Sequence, residues 1–152
     1  MVPKMRSGLA GEVSDDPRME QTMETVTALL RLFCKRSVEV AGSYALGNGR
    51  RVVTERDMRC SLQYVARTFF SAPDLESDVE RELGAMAEEE GSEGEEGSQG
   101  EEGSEGSEGS PPSPRYRQLS RNVDLVVENW HLWNPEDPVE CLIKRAVDKT
   151  SV

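Results

Sequence analysis

Cys34, Cys60, Cys141, His131 and the adjacent Arg50 and Arg51 are the residues whose types most readily do chemistry. The three cysteines are odd in number, and no two stand at C-x-x-C spacing. With the lone His131 they make no zinc set of usual spacing, so no metal and no cofactor is expected. Reduced thiols in a core are the plain reading, as for an intracellular protein. A catalytic His131 would need a positioned acid and nucleophile, and the sequence supplies neither, so the chain reads as a non-enzyme without a small-molecule substrate. Arg50 and Arg51 suit the phosphates of DNA, with contacts whose strength would fall with salt. Arg51 could equally be a solvated side chain.

The elements around these residues are helical. Ser14-Asp15-Asp16-Pro17 is a helix start, in which an aspartate oxygen accepts from an orphan N–H and proline supplies the first helical φ. Met19, Met23, Val26, Leu30, Phe33, Ser37 (a small exception), Val40 and Tyr44 then follow at alternating fours and threes, one face of a helix over residues 17–46. Leu29, Leu32, Val38, Ala41 and Ala45 widen that face, which predicts burial on more than one side. About 45 Å of helix is long for so small a chain, so a partner is implied. Gly47-Asn48-Gly49 ends it. Thr54 and Asp57 make a capping box for a second helix near residues 55–70, with Met58, Leu62, Val65 and Phe69 inward.

The net charge of −11 is unevenly placed. Residues 71–110 hold 15 of the 29 acidic residues and one basic residue, Arg81. The remainder is slightly basic, so the total says little about partners. Residues 74–86 are acidic and mixed, with a helix as one option. Residues 87–114 are built from Gly, Ser and Glu and carry no anchor for a core. Such a tract is either a solvated spacer or a nucleic-acid mimic that restrains basic surfaces. Ser92 and Ser104 precede clustered glutamates and would suit an acidophilic kinase.

Beyond the tract, Val123, Val126, Val127, Trp130 and Trp133 predict a helix over residues 121–133. Asp137-Pro138 starts another, over residues 138–148, with Val139, Leu142, Ile143, Ala146 and Val147 inward. The tryptophans are either core or interface anchors. Trp130, Trp133, Leu142 and Ile143 are the expected C-terminal anchors. The organisation expected is a flexible tail (1–16), a helical module (17–70), a disordered acidic linker (71–114) and a C-terminal helical segment (115–152). No apolar run approaches the roughly 20 residues of a membrane span, and the first residues lack the apolar core of a secretion signal.

Residues 38–62 carry a more specific pattern. Val38-Glu39-Val40-Ala41-Gly42-Ser43-Tyr44-Ala45-Leu46-Gly47-Asn48 resembles the second half of the long middle helix of the histone fold, in its core-histone, archaeal-histone and nuclear-factor-Y branches. Gly49-Arg50-Arg51-Val52-Val53-Thr54-Glu55-Arg56-Asp57-Met58-Arg59-Cys60-Ser61-Leu62 resembles the loop and last helix that follow it. The resemblance spans about residues 17–70 and lacks the family's short first helix, a role open to the C-terminal helices. It implies that Arg50 pairs with Asp57 as a loop strut. It also implies a second histone-fold protein as partner, a heterodimer or alternatively a homodimer. Leu30, Phe33, Val40, Tyr44, Met58 and Leu62 would meet that partner. Arg51, Arg50, Arg56 and Lys35 would touch DNA in the assembled complex, in chromatin or a transcription complex, with a nuclear location (a virion or virus factory for a viral source). The fold expected is all-α: a truncated histone-fold-like long helix–loop–helix with two short C-terminal helices. The rival expectation is a scaffold or assembly component that binds only proteins.

Overall fold

The computed structural model describes residues 16–91 and 111–150. All regular structure among them is helical: α1 (Pro17–Gly47), α2 (Glu55–Thr68), α3 (Leu75–Gly91), α4 (Pro114–Glu128) and α5 (Pro138–Lys149). Short 3-10 turns at Phe69–Ser71 and Trp130–Leu132 follow α2 and α4.

Local chemistry sets most of these ends. Asp16 accepts from the backbone N–H of Arg18 at 3.0 Å ahead of Pro17. At the far end of α1, Gly49 takes φ +74°, a conformation that glycine adopts without steric cost. The Arg50 N–H then returns to the Ala45 carbonyl at 2.9 Å. The Thr54–Asp57 capping box forms in both directions, at 3.3 and 2.8 Å. Asp137 caps α5 by accepting from Val139 and Glu140 N–H groups.

Three boundaries differ from the sequence expectation. Helix α3 occupies Leu75–Gly91, inside the stretch expected to be a disordered linker from 71. Helix α4 starts at Pro114 and not near 121, because Ser113-Pro114 is a cap-and-proline start hidden at the edge of the biased tract. It stops at Glu128, and the tryptophans fall on and just after the 3-10 turn. The expected linker residues 92–110 and tail residues 1–15 lie outside the described residues, and Ser92 and Ser104 with them.

Helix α2, packed along α1, contributes to each of the three core clusters. Against α1 and α3 it contributes Val65 and the following Phe69 to a cluster with Leu32, Leu29, Leu75 and Val79. Against α1 and α4 its Cys60 packs with Tyr44 and Val123. Its Ala66 meets Trp130, Trp133 and Val147, with Phe33 and Ile143 beside them. Small residues let α1 and α2 approach closely: the Ser61 hydroxyl donates to the Ser37 carbonyl at 2.6 Å. The C-terminal helices therefore fold onto the hairpin. Gly47 is needed there, since a Cβ would collide with Ser120 Oγ and the Tyr116 carbonyl of α4.

Of the expected C-terminal anchors, Trp130 and Trp133 are buried and Ile143 packs beside them. Leu142 does not anchor: it is 64 % exposed. The inner face of α5 runs through Ile143 and Val147, one turn apart, and Leu142 lies about 100° around the helix from Ile143. Ala146 is exposed for the same reason, and Val139, though on the inner stripe, is exposed in the first turn of α5.

Candidate functional site

The loop between α1 and α2 is fixed by one ion pair. Arg50 Nη1 and Nη2 each donate to an Asp57 carboxylate oxygen at 2.6 Å. The Thr54 N–H and hydroxyl donate to the same carboxylate at 2.8 and 2.9 Å. The Asp57 side chain is buried, and the Arg50 guanidinium holds its carboxyl far below the usual carboxylate range, with the Thr54 bonds adding to the effect. A buried carboxylate with four charge-assisted or hydroxyl donors is a strut and not a solvated charge. Arg50 is thus occupied by structure.

Arg51 and Arg56 are exposed at the same end of the molecule. There a depression of about 450 Å³ is lined by Tyr44, Asn48, Arg50, Thr54, Arg56 and Asp57. The Tyr44 hydroxyl donates to Asp124 of α4 at 2.7 Å, and burial with that carboxylate pushes its pKa up. Helix α4 therefore borders the loop end. Its Arg117 and Arg121, exposed and one turn apart, precede Asp124 on the same flank by helical geometry. Sequence reasoning passed over these two. Their signal was a spacing of four, on the helix whose start it had placed too late.

The cations of mid-α1 go elsewhere. Lys35 Nζ lies 2.6 Å from Glu82 Oε2, and Arg31 Nε 3.0 Å from Glu82 Oε1. Arg31 also grips Glu89 with both terminal nitrogens, at 3.0 and 2.9 Å. Arg36 donates to Asp78 at 2.6 Å and stacks over Phe69. Arg36 holds the Asp78 carboxyl below its ordinary value, and Arg31 does so for Glu89. Lys35, expected to touch DNA, is instead paired with α3. The sequence signal for α3 was the apolar row Leu75, Val79, Leu83, Met86, spaced four, four and three.

The expected partner-binding residues divide as well. Tyr44 is core, and Phe33, Val40 and Leu62 pack against core clusters within the chain. Met58 is half-buried. Only Leu30 lies open, and it has company: Met19, Met23, Val26 and Leu30 are 58, 62, 45 and 60 % exposed. They sit at i, i+4, i+7 and i+11 on one stripe of α1. Ala28, fully buried, faces the opposite way, and α3 lines that side of α1 through Leu83 and Met86 beside Gln21, Glu24 and Thr25. The N-terminal half of α1 and the distal half of α3 form a two-helix arm with one apolar face uncovered.

Cys34 is exposed, Cys141 is half-buried and donates to the Pro135 carbonyl, and Cys60 is buried, which pushes its thiol up. Among the described residues no cluster of His, Cys, Asp or Glu is arranged to hold a metal ion. No helix among them is long and apolar enough to cross a membrane. Comparison with protein-family models, curated proteins and solved structures finds no match.

Proposed function

We propose that the chain is a non-catalytic pairing subunit that binds another helical protein through the free face of α1. The single observation carrying this reading is the open row Met19, Met23, Val26 and Leu30. Four large apolar side chains in register on one stripe are costly to leave in water, and such patches on small proteins mark interaction sites. The two methionines adapt their shape to a partner more readily than branched side chains do. Beyond the arm, α1 packs Leu32, Val40 and Tyr44 into the chain's own core and leaves Val38 and Leu46 exposed without a continuous stripe, so pairing uses the arm and not the whole helix.

Purification of the tagged full chain from native extract, beside a Met23→Gln/Leu30→Gln variant, tests this. The reading expects one protein, near equimolar with the wild-type chain, to be lost from the variant. An unchanged set of co-purifying proteins contradicts it.

A second reading is favoured by how the charge is distributed. The described residues are acidic overall, with 16 basic and 20 acidic side chains. Yet Arg51 and Arg56 are exposed beside the loop, and exposed Arg117 and Arg121 precede, on α4, the Asp124 that Tyr44 bonds. The loop end suits phosphodiester contacts in an assembled histone-like complex, in chromatin or a transcription complex. Pairing of Arg31, Lys35 and Arg36 with α3 weighs towards the protein-only role. Salt-dependent DNA retention by the purified complex separates the two.

A further inference from the structure

We infer that the occupant of the free α1 face is a basic amphipathic helix of another protein. The inference rests on the pairing reading above and adds the partner's chemistry. The stripe spans about 16 Å from Met19 to Leu30 at about 1.5 Å per residue, the length of three helical turns. Anchors at i, i+4, i+7 and i+11 are those a partner helix presents when it lies along a helix face. The arm itself is a pair of helices, and a third helix laid on the stripe completes a bundle.

Charge selects among helices. Glu20 borders the stripe on one side, Glu24 lies further round towards α3, and Glu88 and Glu90 stand at the end of α3. The strong cation on that side, Arg31, is already held by Glu82 and Glu89. Arg18 is exposed at the tip of α1, on the opposite border. The arm is thus acidic around an apolar strip, and its complement is an apolar strip with basic borders. A second copy of this chain is a poor occupant, because two acidic arms would lie side by side.

The full chain is titrated with two fluorescent peptides, each an amphipathic helix with leucine anchors. One has lysine borders and the other glutamate borders. The lysine peptide is expected to bind tighter by about tenfold or more, an advantage that shrinks with added salt. Met23→Gln/Leu30→Gln should weaken it by a similar factor with helicity unchanged, and Glu20→Lys/Glu24→Lys should reverse the preference. Equal binding of both peptides overturns the charge assignment and leaves pairing at the stripe standing. No binding of the lysine peptide overturns the inference. Binding indifferent to Met23→Gln/Leu30→Gln overturns the stripe, and the pairing reading with it. Two further results would reassign the face and overturn the inference. One is a dimer of the full chain, by sedimentation, that the same variant dissociates. The other is peptide binding only after removal of residues 1–15.

Discussion

Lys35 of α1 and Glu82 of α3, 47 residues apart, meet at 2.6 Å with the Glu82 side chain only 6 % exposed. A stretch that composition presents as solvated and acidic thus begins as a packed helix. Exposed ion pairs contribute little, but a buried carboxylate bridged between Lys35 and Arg31 ties two helices. Glu82→Gln should therefore loosen α3. Amide exchange over residues 79–91 should accelerate, while Glu88→Gln, at an exposed site, leaves it unchanged. Equal exchange in both variants would contradict this account of the docking.

The same contacts set a pH dependence. Asp78 and Glu89 are held below their ordinary values by Arg36 and Arg31, and Asp57 further below by Arg50. Carboxylates depressed in the fold contribute stability that is fully present above their unfolded values, about 4. That contribution is lost as the pH falls through the depressed folded values. Melting followed from pH 6 downward should be flat to about pH 5 and then fall. Loss of α3 contacts should precede loss of the Arg50–Asp57 strut, because Asp57 is the more strongly depressed. A rise in stability on acidification would contradict it.

The strut predicts non-additivity. Asp57→Ala removes a buried cap and the partner of Arg50, and should cost about 2–4 kcal/mol by denaturant melting. The double change with Arg50→Ala should cost less than the sum of the two single changes, since they share one interaction. Additive losses would show that the loop is held by something else.

Gly47 predicts how closely α4 is seated. Gly47→Ala places a methyl group against the Tyr116 carbonyl and Ser120, so α4 must shift. Overpacking of this kind costs roughly 1–3 kcal/mol. Gly84→Ala, where a Cβ meets nothing, should be neutral or slightly stabilising in its helix. Equal stability of the two variants would contradict the α1–α4 contact.

What the sequence made legible was local. Asp16-Pro17, Gly49, Thr54 with Asp57, and Asp137-Pro138 announce helix ends through hydrogen bonds within a few residues. The all-helical class and the α1–loop–α2 hairpin follow from them. Choices made at a distance were not legible. Tyr44 could face a partner or the chain's own Val123, and nothing in its neighbours decides which. Leu142 and Ile143 are adjacent and equally apolar, yet only Ile143 meets the tryptophans. At Leu75–Gly91, acidic composition outweighed a readable apolar row, and at Ser113-Pro114 the surrounding Gly, Ser and Glu hid a cap. The site was legible in its strut and not in its cover: Lys35 looked like a DNA contact because its partner lay beyond the assumed boundary of the fold.

The most direct test of pairing through the free face is site-specific photo-crosslinking. A benzophenone side chain is placed at Val26 in the full chain, and at Leu142, also exposed but on α5, as the comparison. After irradiation in native extract, the account predicts one discrete adduct from Val26, abolished by Leu30→Gln, and none of that mass from Leu142. The same adducts from both positions, or none from Val26, would contradict it.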